Sequence, residues 1–267
     1  MNTPVLAVDI ETVPDAAGLR LVHDMPPDVP DAEVVAMAQR LRRQEKNNDF
    51  MPLPLHRIVV ISCVLEENDS LRVFSLPAAK DEGDALRRFF AGMEKLYQTH
   101  REPPRLITWN GGGFDLPVMH YRSLIHGLRA PLMWQNGDGD ANFRYNRTYL
   151  NRYNTGRHLD LMDTLAMFQF GAAAKLDNVA KLCGLPGKIG IGGAHVADAF
   201  FDGRMDEISD YCECDAMLTY LLFLRYQQLA AERGETELAA RTTAARQYMT
   251  ESGGKWEEFL RQWRGGK

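Results

Sequence analysis

Val5-Leu6-Ala7-Val8-Asp9-Ile10-Glu11-Thr12 is an apolar, β-branched run that ends in two carboxylates. The composition predicts a strand, and side chains of a strand alternate between its faces. Asp9 and Glu11 therefore point the same way, sharing a face with Val5 and Ala7, while Leu6, Val8 and Ile10 line the other. An apolar run on both faces is the mark of a central strand. Two acids at its exit sit close together at the rim of a core, where like charges repel unless a cation neutralises them. Hard divalent cations such as Mg²⁺ and Mn²⁺ take carboxylate oxygens. The stretch thus reads as a metal site at a strand end, although a plain strand followed by a polar turn gives Asp-x-Glu as well.

The rest of the chain bounds this reading. Its 267 residues suit one large domain or two small ones, and 45% hydrophobic with 25% charged residues is ordinary for a globular protein. No stretch approaches a membrane span, and no secretory leader is evident, so a cytoplasmic protein is expected. Cys63, Cys183, Cys212 and Cys214 form no C-x-x-C pair, which argues for free buried thiols over a zinc site or disulfides. A net charge of −5 means that binding a polyanion would need a local basic patch.

Strands are predicted at 58–65, 71–76, 106–110 and 158–161, with helices over 84–97, 114–126, 176–183, 194–201, 205–228, 235–250 and 254–263. Val13-Pro14-Asp15 reads as a turn. Residues 24–56 read as an insertion between the first two strands, carrying a helix from Asp31 to Lys46 with Asp31 as its N-cap and Arg40, Arg42, Arg43 and Lys46 on a solvated face. This order implies an α/β domain with a mixed sheet. We expect one unit over 1–228, with 24–56 as its insertion, and a helical extension over 229–267 packed on it.

Acids recur twice more. Asn110-Gly111-Gly112-Gly113-Phe114-Asp115 places a carboxylate after a strand and near a helix N-terminus, where an N-capping aspartate is the simpler explanation. Tyr211-Cys212-Glu213-Cys214-Asp215 sets a tyrosine and an acid one helical turn apart, which a core tyrosine beside a surface acid would also give.

In that order and context, the three segments resemble the DEDDy branch of the DnaQ-like 3′–5′ exonucleases. They are most similar to the predicted bacterial exonucleases related to the exonuclease domain of family B DNA polymerases. The resemblance extends to Arg144-Tyr145, to His158 through Asp163 and to Ile208 through Glu213, covering roughly residues 3–228. It implies an RNase H-like fold, with a mixed five-stranded sheet flanked by helices and a helical C-terminal extension. It also implies that Asp9, Glu11, Asp115 and Asp215 hold two Mg²⁺ or Mn²⁺ ions, with Asp9 bridging, and that Tyr211 orients the attacking water. The substrate implied is single-stranded nucleic acid, DNA favoured over RNA, cut from the 3′ end to nucleoside 5′-monophosphates. An RNA-trimming enzyme and a catalytically silent binding module are the alternatives.

Asn110 and Phe114, beside Asp115, are candidate substrate contacts. So are Arg144, Tyr145, Arg147 and Arg152, within an acid-free stretch to Arg157 whose tyrosines offer stacking faces. An edge hairpin with packed tyrosines explains that stretch equally well. Asp160 is a candidate support for the metal ligands or a structural cap. His56, His158 and His195 read as structural, and Lys188, in a glycine-rich loop, as a possible phosphate contact without P-loop spacing.

Overall fold

The computed structural model describes residues 3–68, 70–134 and 149–264. Five strands form a single sheet: β1 (Val5–Pro14), β2 (His56–Glu67), β3 (Ser70–Pro77), β4 (Arg105–Thr108) and β5 (His158–Asp160). Their order is β3-β2-β1-β4-β5, with β2 and β3 antiparallel to their neighbours and β4 and β5 parallel. The expected mixed five-stranded sheet is therefore present, and its first strand lies in the middle, in keeping with an RNase H-like fold.

β1 is central because both of its faces are apolar. Leu6, Val8 and Ile10 pack with Leu86, Phe89 and Met93 of α3 (Glu82–His100) and Met119 of α4 (Asp115–Ile125). Val5 and Ala7 pack on the opposite side. After α5 (Pro131–Trp134), α6 (Leu161–Leu165), α7 (Leu176–Leu182) and α8 (Val196–Phe201), the long α9 (Met205–Leu229) covers that face with Met217, Leu218 and Phe223. Burying each such side chain contributes about 1.5–3 kcal/mol. The outer side of α9 is apolar too, and α10 (Glu235–Ser252) and α11 (Lys255–Gln262) close over it with Leu238, Met249, Trp256 and Phe259.

The structure corrects three local expectations. β1 does not stop at its carboxylates: past a register shift between Glu11 and Thr12, Val13 and Pro14 pair with Arg57 and His56. The predicted turn at 13–15 is largely strand because the chain returning from the insertion supplies a partner. A short helix, α1 (Ala16–Val22), follows. In α2 (Asp31–Lys46) the cap is Pro30, and Asp31 occupies the first turn with Glu33, where the helix dipole favours acids. Leu19, Val34, Ala38, Met51 and Leu55 give this segment a small core of its own.

Arg122 of α4 ties that segment to the sheet. Its guanidinium donates to Asp15 and Glu82, each at 2.6 Å, and to the Pro54 carbonyl at 3.0 Å. Glu82 also accepts from the Ile58 amide at 2.7 Å, so the buried charges are fully bonded. Among the described residues, no helix is long and apolar enough to cross a membrane.

Candidate active site

Asp9 and Glu11 leave β1 on the face covered by α9, as the alternation requires. The polar end of that helix supplies what meets them. Cys212 Sγ lies 3.4 Å from both the Asp9 backbone oxygen and Asp9 Oδ2, and ligand atoms of Asp9, Glu11 and Cys212 all fall within 4.8 Å of one another. Asp215, one turn on, is 2% exposed and is not a surface acid; its Oδ1 is buried without a hydrogen-bond partner.

The fourth carboxylate arrives from β4. After Thr108 the chain turns through Asn110, whose φ of +67° is left-handed, and Gly111, where a Cβ would lie 2.3 Å from Thr108 Oγ1. Only glycine fits there. Asp160, at the end of β5, braces the turn by accepting from the Asn110 and Gly112 amides, both at 2.9 Å. It also caps α6 through the Asp163 amide. Phe114, not Asp115, takes the N-cap position of α4. Asp115 is therefore the first helical residue, 5% exposed.

These groups act on one another electrostatically. Burial pushes Asp9 well above the carboxylate range, and the charges of Asp115, Asp215 and Glu11 push it further. Burial, then Asp215, raises Glu11 to about 8. Burial, with Asp160 adding to it, raises Asp115 to about 7. Asp215 is raised by burial and pulled back by Lys188. Asp9 and Glu11 thus feel the charges of Asp115 and Asp215, while among the described residues only Asp9 and Glu11 of the four acids join a group of ligand atoms within 4.8 Å of one another.

One cation answers them. Lys188 Nζ donates to Asp215 Oδ2 at 2.6 Å and to the Tyr211 hydroxyl at 2.5 Å. Burial opposes its charge, yet Asp215 and Tyr211 outweigh it and hold the ammonium above its ordinary range. The loop bearing Lys188 lies against Tyr211: at Gly190, whose φ is +100°, a Cβ would be 3.5 Å from the Tyr211 Cβ.

Residues 48–263 match the family described as predicted 3′–5′ exonucleases related to the exonuclease domain of PolB. The chain belongs to this family. It is accordingly a nuclease, a hydrolase of 3′–5′ exonuclease type whose substrate is nucleic acid, and exonuclease domains of this kind usually use divalent metals. No match to a curated protein was found. The span shared with the exonuclease family contains Asp115, Tyr211 and Asp215 but begins after β1; the sheet brings Asp9 and Glu11 to it.

The basic, tyrosine-rich stretch expected to bind substrate falls only in part among the described residues. Arg144, Tyr145 and Arg147 lie outside the described residues. Tyr149 is buried, its hydroxyl donating to the Pro104 carbonyl at 2.5 Å, and Arg157 is buried and donates to the Pro103 carbonyl. Both hold the fold together, as the packed-hairpin alternative has it. Arg152 makes two bonds to Asp163, at 2.6 and 2.8 Å, so its charge is already matched. The histidines behave structurally: His158 pairs with Thr108 Oγ1, His56 with Thr12 and the Met51 carbonyl, and His195 with the Ile191 carbonyl. Sequence reasoning left Cys212 out of the site and gave Lys188 a phosphate, where the structure gives it Asp215 and Tyr211. Lys188 had a signal, a lone lysine among glycines, but nothing local said which anion it meets.

Proposed function

We propose that this exonuclease degrades single-stranded DNA from the 3′ end, using two divalent ions, Mg²⁺ or Mn²⁺, and releasing nucleoside 5′-monophosphates. The observation that carries the reading is that carboxylates from β1, α4 and α9 lie near enough at the end of the central strand to act on one another's charge. The donor set suits hard cations, being all oxygen apart from the Cys212 thiol. The unpartnered Asp215 Oδ1 supports the same reading, since a buried acceptor without a donor is costly unless a ligand meets it.

Asp9, Glu11, Asp115 and Asp215 are the residues that would hold the ions, with Asp9, flanked by the other three charges, as the shared ligand. Bound there, two ions supply activation of water and neutralisation of the leaving oxygen. Tyr211 orients the attacking water through a hydroxyl that Lys188 fixes from the other side. Its pKa is raised by burial and by Asp215, so it acts as a positioned hydroxyl and not as a base. Asn110 and Phe114, on the turn before Asp115, are the proposed contacts to the terminal nucleotide, and Asp160 keeps that turn in place. Arg144, Tyr145, Arg147 and Arg152 are proposed contacts farther along the strand, with Arg152 contributing through its planar face more than through free charge. Kinship to polymerase-type exonucleases favours DNA over RNA.

The test offers 5′-labelled DNA and RNA oligonucleotides with Mg²⁺, Mn²⁺ or EDTA. A ladder shortening one nucleotide at a time from the 3′ end of DNA, absent in EDTA and reduced at least roughly 100-fold in Asp9→Ala, is the expected result. Preferential shortening of RNA would move the assignment to the exoribonuclease alternative. Binding without cleavage would move it to the silent module.

A further inference from the structure

The segment between β1 and β2 sends one aromatic ring against residues that flank two of the carboxylates in the chain. Phe50 is 52% exposed. Its ring centroid lies 4.7 Å from that of His56 and 5.7 Å from that of Phe114, and those two rings meet edge-on at 5.1 Å. Both neighbours are attached to carboxylate-bearing elements. Phe114 immediately precedes Asp115, and His56 Nδ1 is 3.0 Å from the hydroxyl of Thr12, the residue after Glu11. The three rings therefore form a cluster one residue removed from two members of the acid cluster.

Phe50 is also held in place. Its amide donates to Asn48 Oδ1 at 3.2 Å, its carbonyl accepts from Arg42 Nε at 3.1 Å, and the next residue, Met51, is 3% exposed in the small core of the segment. A large apolar ring, fixed by backbone bonds and half open to water beside polar chemistry, is pre-organised to receive a flat apolar surface. Ions held by the acids would meet the phosphate, which leaves the base of the terminal nucleotide to be held by something else. We propose that Phe50 stacks on the nucleobase at the 3′ end of the substrate, which makes the 24–56 insertion part of the substrate site. This rests on the exonuclease reading above. Because every base has a π-face, such a contact holds the end without selecting its sequence.

Two measurements test it. Phe50→Trp puts an indole at the position. A single-stranded oligodeoxynucleotide ending in a phosphorothioate linkage, titrated in Ca²⁺, should quench emission beyond the change seen in the wild type. The same oligonucleotide with an abasic 3′ residue should not. In steady-state kinetics, Phe50→Ala should raise KM roughly 5- to 50-fold for an ordinary 3′ end and leave it unchanged for an abasic one. Phe50→Tyr should restore KM and Phe50→Leu should not. Absence of quenching, equal KM effects on both ends, or rescue by leucine would overturn the stacking role. Quenching without hydrolysis would retain it and sink the exonuclease reading; hydrolysis with no Phe50 dependence would do the reverse.

Discussion

Glu11 shows what the site costs at the scale of one residue. Its carboxyl is raised from 4.5 to about 8, chiefly by burial and then by Asp215. Between those values the folded chain holds a proton that the unfolded chain has released. Folded-state proton excess makes stability fall as pH rises, so this residue's penalty grows from pH 4.5 and is complete above about 8. In EDTA, Glu11→Gln should flatten the decline in Tm between pH 5 and 8 and raise Tm at pH 8 by about 2–6 °C. Thermal melts of both proteins across that range check it, and parallel curves would contradict it. Lys188 gives the second prediction. Lys188→Met should lower kcat by about 10- to 100-fold, and in combination with Tyr211→Phe the losses should not add, since both act on one hydroxyl. Additive losses in a double-mutant cycle would refute the shared role. Asp9 and Glu11 were legible in the sequence because alternation in a strand is local geometry. Lys188 was not, because its loop has no periodicity and its partners are fixed only when α9 packs on the sheet.

Elements divide along the same line. α3 and α9 could be read from helical spacing, and β2 from an apolar run, because burial patterns of that length are repeated many times over. α1 has seven residues and one buried side chain, Leu19, too little to leave a pattern. The extension of β1 to Pro14 depends on pairing with His56 and Arg57, more than forty positions away in the chain, as the register shows. The glycine turn between β4 and α4 was legible as a turn, but its brace was not: Asp160 reaches it from a strand fifty residues later. Asp160→Ala should therefore destabilise the protein by about 2–4 kcal/mol, through loss of charge-assisted bonds to two turn amides and the α6 cap. It should also lower activity, because Asp115 rides on that turn. Urea unfolding and kinetics on the same preparation check this; a stability change within about 0.5 kcal/mol would show that the turn stands unaided.

Across the whole molecule, β1 is central in space but first in sequence, and the residues that separate it from β2 include an exposed run from Lys46 to Phe50. A chain cut between Asn47 and Asn48 would leave β1 in a short piece with Asp9 and Glu11, and Asp115, Tyr211 and Asp215 in a long one. Neither piece would carry a complete set of acids. The sheet pairing on both sides of β1 and the Arg122 bond to Asp15 would still join them. Expressed separately and mixed, the two pieces should regain nuclease activity while each alone has none, measured by release of acid-soluble label from nucleic acid. The molecule is in this sense two complementary half-enzymes that happen to be covalently linked, and its nuclease activity would serve as a readout of their reunion.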